Sequence, residues 1–192
     1  MAQRKCKVVE KLPVTMPVKI TRKNNIPTLA VSNVQEKNII FSYKYFNCQS
    51  LKNDIFNNCF FSIGEYAKWI TIFLKKISNY SSMQIGELMS AGKSTRFHPV
   101  KNFELIKLKE ILKSINVDCD KIFSQEEGNQ FYELSVETGQ GRLFGYLIEN
   151  IYYILLFDPN HLIYMNTSKG GKQDLLHKRY DPWEDQYIAI KQ

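Results

Sequence analysis

Three consecutive apolar segments in the C-terminal third of the chain constrain its fold more than any other feature. Phe131 to Thr138 stops at Gly139-Gln140-Gly141, Arg142 to Ile148 is followed by Glu149-Asn150, and Ile151 to Phe157 completes the series. Runs rich in β-branched and aromatic residues, separated by Gly or Asn, are typical of strands joined by tight turns. The pattern therefore predicts a three-stranded antiparallel meander.

The preceding segment predicts one more strand and three helices. Ile39 to Phe46 is dense in aromatic and β-branched residues, which favours a strand. Ser62 and Glu65 form an S-x-x-E capping box. The apolar residues that follow recur at helical spacing: Ile63, Tyr66, Trp69, Ile70, Phe73, Leu74 and Ile77. Shorter helices are predicted over 82–89 and 102–115. The predicted fold class is α+β, with an antiparallel sheet (the N-terminal strand plus the meander) packed against two or three helices.

Composition along the chain predicts three parts. Residues 1–37 contain Pro13, Pro17 and Pro27 among charged residues, which favours a basic, largely extended arm. Residues 38–165 form the α+β globular domain. Residues 166–192 form a loop and a C-terminal tail that docks through Trp183 and Tyr187.

The charge is concentrated at the N-terminus. The net charge is +7, and residues 1–25 hold seven basic residues against Glu10 alone. A basic arm on a near-neutral body suggests a polyanionic partner such as RNA, DNA or an acidic protein; the alternative is a tail that only aids solubility. The candidate nucleic-acid-binding residues are Arg4, Lys5, Lys7, Lys11, Arg22, Lys23 and Arg96.

Other composition signals indicate a cytoplasmic protein without a membrane segment or cofactor. The sequence has no run of about 18 apolar residues, and its N-terminus has no apolar segment like that of a secretory signal. The four cysteines are widely spaced, without the pairing typical of zinc or of a disulfide framework. We expect reduced thiols and no metal.

One phosphate-binding motif is excluded. Ala91-Gly92-Lys93-Ser94-Thr95 ends like a P-loop, but the position that requires the first glycine is Glu87. The segment also follows a predicted helix rather than a strand, so no helix N-terminus is aimed at a phosphate.

Arg96 and His98 are two residues apart on a segment that Pro99 pushes toward an extended conformation. Their side chains are then expected on one side, where they could bind a phosphate and move a proton. The alternative is a surface pair with His98 hydrogen-bonded beside Pro99.

Arg142 opens the second strand of the meander and shares a face with Phe144, Tyr146 and Ile148. A guanidinium at a sheet rim can clamp a phosphate; the alternative is an ion pair with Glu133 or Glu137 across the hairpin.

His161 and Tyr164 follow the predicted turn at Asp158-Pro159-Asn160. An imidazole and a phenol near an arginine suit acid–base work on a phosphodiester; the alternative is an ordinary turn. Asp158 and His161 alone supply too few ligands for a metal. The aromatic residues of the strands could stack on bases, but the pattern favours packing in the core.

The order of elements resembles the RelE/ParE toxin superfamily, on Arg142-Leu143, Tyr153-Ile154 and His161-Leu162-Ile163-Tyr164. The resemblance covers roughly Ile39 to Met165. It implies a RelE-like fold, a phosphate contact from Arg142, and proton transfer by His161 or Tyr164. The chain also resembles small uncharacterised bacterial proteins with an arginine-x-histidine-proline element ahead of a G-R-x-x-G-[FY] strand.

The predicted function is metal-independent RNA cleavage in a toxin or phage-defence setting, with Arg142, His161, His98 and Tyr164 as catalytic residues. RNA or the ribosome and a cognate antitoxin are the expected partners. One alternative is a non-enzymatic adaptor in a defence or mobile-element complex; another is a DNA-binding accessory protein. An enzyme needs the cationic and imidazole side chains in one cleft, whereas an adaptor permits them to scatter.

Overall fold

The structure is a computed structural model that describes residues 34–47, 49–123, 130–136, 141–164 and 180–184. The candidate residues of the basic arm, from Arg4 to Lys23, lie outside these ranges. The strands are β1 (Ile40–Ser42), β2 (His98–Pro99), β3 (Gln130–Ser135), β4 (Arg142–Ile148) and β5 (Ile151–Asp158). The helices that position the site are α1 (Ile63–Ser81), α2 (Ile85–Ser90), α3 (Asn102–Ser114) and α4 (Cys119–Ile122).

The strands form one mixed sheet in the order β1-β5-β4-β3-β2. The predicted antiparallel meander is confirmed in β3, β4 and β5, and β2 adds an antiparallel edge. The prediction of a purely antiparallel sheet is wrong, because β1 pairs with β5 in parallel. No short turn joins these two strands. Instead Asn150, in the β4–β5 turn, accepts a hydrogen bond from the Ile40 amide and donates one to the Asn38 carbonyl.

Helices cover both faces of the sheet. On one face α1 and α2 pack Trp69, Phe73, Ile85 and Leu88 against alternate strand residues such as Leu143. The opposite face has its own core, which joins α3 and α4 to the other set of strand residues: Leu108, Ile111, Leu112, Cys119, Phe131, Phe144, Tyr146 and Leu155. Because successive strand residues alternate between faces, Glu133 and Arg142 belong to the face that α3 covers.

Helix α1 begins where the sequence predicts. The Ser62 hydroxyl accepts a hydrogen bond from the Glu65 amide, while the Glu65 carboxylate accepts one from the amide of Phe61 rather than of Ser62. The predicted apolar stripe is only partly correct, since Ile63 and Leu74 are exposed. Leu74 lies beside the line of buried residues, and Ile63 is the first residue of the helix, before the first buried residue, Trp69.

Two segments outside the predicted strands and helices contain ordered structure. The segment between α3 and β3 includes α4, which places Cys119 and Phe123 in the core. The docking of the tail through Trp183 is confirmed: Trp183 is buried, and Tyr180 pairs with Phe60. Tyr187 lies outside the described residues.

Cys59 and Cys119 are buried free thiols, and burial raises their pKa values to about 11 and about 12. In the described part of the chain, no helix combines the length and hydropathy needed to cross a membrane.

The Gly145→Ala substitution is expected to destabilise the protein by about 3 kcal/mol. A Cβ at this position would lie 2.5 Å from the Tyr152 ring and 2.5 Å from the Tyr153 carbonyl oxygen. The ring cannot retreat easily, because it is fully buried and its hydroxyl donates to the Tyr132 carbonyl. Urea unfolding measures the effect. Gly64→Ala is the matched control, since its Cβ would meet nothing closer than 3.7 Å. Equal unfolding midpoints for the two variants would contradict the prediction.

Candidate functional site

The candidate site lies at the end of the sheet where β3 finishes, β4 begins and β5 finishes. Ser135 pairs with Arg142, and Arg142 pairs with Asp158, so the polar ends of three strands are adjacent. On the open side of β3, His98 of β2 pairs directly with Glu133. Directly paired residues of neighbouring strands place their side chains on the same face. Register therefore brings His98, Glu133 and Arg142 together.

Glu133 is the centre of this cluster. Its side chain is buried, and its Oε1 atom lies 2.9 Å from His98 Nε2 and 3.9 Å from Arg142 Nε. The other oxygen, Oε2, is buried and has no hydrogen-bond partner among the described residues. Burial raises the pKa of Glu133, while His98 and Arg142 oppose that rise. A buried carboxylate in this setting holds cations and imidazoles close to it.

Arg142 is held inside the protein rather than at an open rim. It is 7% exposed, and its Nη1 atom donates to the Ser135 hydroxyl and to the Gly141 carbonyl. Burial lowers its pKa, and Glu133 opposes that shift. Of the two interpretations of Arg142, the structure therefore shows the pairing with Glu133. A direct phosphate clamp would require the guanidinium to leave these partners.

His98 is the half-exposed member of the cluster. While its Nε2 atom faces Glu133, its Nδ1 atom lies 3.2 Å from the Pro99 carbonyl oxygen. Both contacts are hydrogen bonds at once only when both ring nitrogens carry a proton. The carboxylate therefore fixes the orientation of a ring that solvent and a ligand can reach.

His161, rather than the preceding Asn160, has a left-handed backbone, with φ 57°. Asn160 is instead buried, and its amide donates to Asn57 and to the Cys59 carbonyl. His161 Nε2 accepts a hydrogen bond of 3.1 Å from the Gly141 amide. Burial lowers the pKa of His161 to about 4, and Arg142 and Arg96 add to that effect. The ring is therefore neutral at pH 7, with its proton on Nδ1.

Asp158 positions the loop that carries His161 and Tyr164. It is fully buried, and its two carboxylate oxygens accept hydrogen bonds of 2.8 Å from the amides of Leu162 and Ile163. Burial raises its pKa to about 6, and those amides oppose the rise. Lys107 of α3 adds a second restraint by donating to the Leu162 carbonyl. The predicted turn is thus a loop fixed from both sides.

Tyr164 and Arg96 complete the cluster. Burial raises the pKa of Tyr164, and the nearby Glu133 carboxylate raises it further, so the phenol stays protonated at neutral pH. Arg96 is exposed and has φ 48°, so the extended segment predicted at this residue is wrong. Its loop is held because the Thr95 carbonyl accepts the Ser135 amide. Arg96 is still close enough to lower the pKa values of both Glu133 and His161.

Three of the four predicted catalytic residues (His98, Arg142 and Tyr164) and Arg96 therefore lie around one buried carboxylate, and His161 lies near Arg142 and Arg96. The sequence pattern predicted Glu133 only as an ion-pair partner, and Asp158 as a turn residue that with His161 supplies too few ligands for a metal. Glu133 is two residues from Phe131 and so lies on the same buried face of the strand, and this spacing is the sequence signal that could have identified the carboxylate as buried. Within the described residues, no group of three or more His, Cys, Asp or Glu side chains is arranged to hold a metal ion.

The unfolding free energy of wild type is expected to fall relative to that of His161→Asn as the pH drops from 6.5 to 4. The folded pKa of about 4 lies below the ordinary 6.5, so the unfolded chain binds this proton more readily in that window. The ring is partly exposed, which limits the change to about 1 kcal/mol. Asparagine suits the left-handed backbone.

Urea unfolding at pH 7, 5 and 4 measures this difference. The raised pKa of Asp158 acts in the opposite direction, since its protonation favours the folded state between pH 6 and 3.8. Both proteins retain Asp158, so its contribution cancels in the comparison. A difference that stays constant with pH would show that His161 is not held neutral.

The fold and the site define an α+β protein with a mixed five-stranded sheet and an Arg, His, Glu and Tyr cluster at one end of it. A family model described as "Uncharacterised protein UU032" matches residues 42–187, and the chain belongs to that family. Comparison with curated proteins found no match. Comparison with solved structures found none either.

Proposed function

We propose that the protein cleaves RNA without a metal ion, by attack of a 2′-hydroxyl on the adjacent phosphate. The observation that carries the proposal is the gathering of His98, Arg142 and Tyr164 around Glu133, with His161 near Arg142, at one end of the sheet. These residues come from three separate segments of the chain. A structural ion pair needs only two of them, whereas two imidazoles, two guanidiniums and a phenol suit phosphodiester chemistry.

The exposure of each group indicates its role. Arg96 is exposed and binds the phosphate, with the His161 Nδ1–H as a neutral donor to its oxygens, while the Tyr164 hydroxyl donates to the Glu133 carboxylate. His98 reaches solvent and moves the proton, while Glu133 holds its ring in place. Arg142 is buried beside Glu133, and its fixed positive charge stabilises the negative charge that develops on the phosphate oxygens.

Bond changes in the reaction balance without another reactant. The 2′-oxygen forms a bond to phosphorus, and the bond between phosphorus and the 5′-oxygen breaks. The products are a 2′,3′-cyclic phosphate and a 5′-hydroxyl. The proton lost by the 2′-hydroxyl is matched by the proton that the 5′-oxygen gains.

A direct test incubates the purified chain with free RNA in excess EDTA and, separately, with RNA-loaded ribosomes in magnesium buffer, and analyses the ends of any fragments. The proposal expects 2′,3′-cyclic phosphate ends, and loss of cleavage in Arg142→Ala and His161→Ala. A RelE-like fold and a toxin or phage-defence setting belong to the same proposal, and growth arrest on expression tests that part. Intact RNA under both conditions, together with normal growth, would overturn it.

The non-enzymatic adaptor is the second candidate, and one observation favours it. Arg142 is buried and already paired, as expected for a residue that only stabilises the sheet end. In that case the basic arm would contact nucleic acid or a partner protein. RNA binding that depends on salt but never leads to cleavage would support the adaptor.

A further inference from the structure

Phe103 is the most exposed of the large apolar side chains in the described part of the chain. It lies in the first turn of α3 and is 72% exposed. Exposed phenylalanine gains nothing from the hydrophobic effect, so the folding of this domain does not account for its position. Ile106, one turn further along the helix, is also exposed.

The helix places Phe103 beside the candidate site. Residues four apart in a helix lie on the same side, so Phe103 is on the side of Lys107, which donates to the carbonyl of Leu162. Its neighbour Glu104 is close enough to Tyr164 to raise the pKa of that phenol. Phe103 is therefore within about one helical turn of two residues that reach the loop carrying His161 and Tyr164.

The surroundings of Phe103 are cationic on the side of β2. Lys101 is exposed at the N-terminal boundary of α3, and Arg96 and His98 are exposed just before it in the chain. An aromatic face beside a basic rim suits an unpaired base whose backbone phosphates follow the cations. This charge complementarity favours a single-stranded nucleic acid over an apolar protein partner.

We propose that Phe103 is a stacking platform for an unpaired base next to the phosphate bound at the cluster. The inference rests on the proposed function and narrows its substrate to single-stranded RNA. Stacking contacts accept every base, so the platform gives affinity without strong base preference.

Fluorescence anisotropy tests the inference with a labelled decamer of deoxyuridine, which has no 2′-hydroxyl and stays intact. Phe103→Ala and Phe103→Leu should weaken binding by about 5- to 100-fold, and Phe103→Trp should bind like wild type. Ile106→Ala and Leu74→Ala are matched controls, since each removes an exposed apolar side chain; Leu74 is on α1, across the sheet. An abasic decamer should bind all variants equally.

Four binding results would overturn the inference. Wild-type binding by Phe103→Ala excludes a contact, and wild-type binding by Phe103→Leu shows that a stacking ring is not required. Loss of binding in Ile106→Ala indicates an apolar patch suited to a protein partner. If wild type does not bind the decamer, single-stranded nucleic acid is excluded as the ligand. If Phe103→Ala weakens binding while wild type leaves RNA uncut, only the proposed cleavage fails. If RNA is cut and Phe103→Ala keeps its affinity, only the platform fails.

Discussion

Replacing His98 with alanine is expected to lower the rate of RNA cleavage by about 10²- to 10⁴-fold. The ring is half-exposed, and its Nε2 atom is fixed 2.9 Å from the buried Glu133 carboxylate. Among the clustered imidazoles it is therefore the one that a substrate can reach while its orientation is held. His161, in contrast, already uses Nε2 to accept the Gly141 amide.

Single-turnover cleavage of a short fluorescent RNA measures the effect, with enzyme in excess so that binding does not limit the rate. His98 is in a two-residue edge strand, so its removal should leave the fold intact, which circular dichroism checks. Ser94→Ala is the control, because the Ser94 hydroxyl donates only locally, to the Ala91 carbonyl. A His98→Ala rate equal to that of the control would reduce the His98–Glu133 contact to a surface pair.

Local patterns predicted the meander well. The predicted bounds of β4 agree with the structure to the residue, and those of β5 differ by one residue. Both strands are largely apolar, and the turns that contain glycine or asparagine mark where they begin or end. The sequence did not predict that β1 joins β5 in parallel. That pairing depends on how α1, α2 and α3 distribute between the two faces, which no local pattern encodes.

The candidate site shows the same division between local and long-range information. Strand alternation placed Arg142 on the face of Phe144, and residue chemistry marked His98 and His161. The central role of Glu133 was not predicted, because it depends on the register between β2 and β3. Two-residue strands such as β2 leave too short a pattern for register to be read from the sequence.

Glu133→Leu is expected to destabilise the protein by about 3 kcal/mol, because it leaves the Arg142 guanidinium buried without its carboxylate. Arg142→Met should also destabilise, since the buried Glu133 carboxylate then loses a cation that opposes the cost of its burial. Combining the two removes both buried charges. The double variant is therefore expected to be more stable than the sum of the single effects implies.

Urea unfolding of the four proteins gives the coupling free energy, and the cleavage rate of the double variant separates structure from chemistry. If the losses of unfolding free energy in the two single variants simply add in the double variant, the contact of 3.9 Å between Arg142 and Glu133 contributes no pairing energy. If the double variant folds but does not cleave RNA, the pair acts in the reaction as well as in the fold. If it cleaves RNA at the wild-type rate, the pair is structural, and catalysis belongs to the exposed Arg96 and His98.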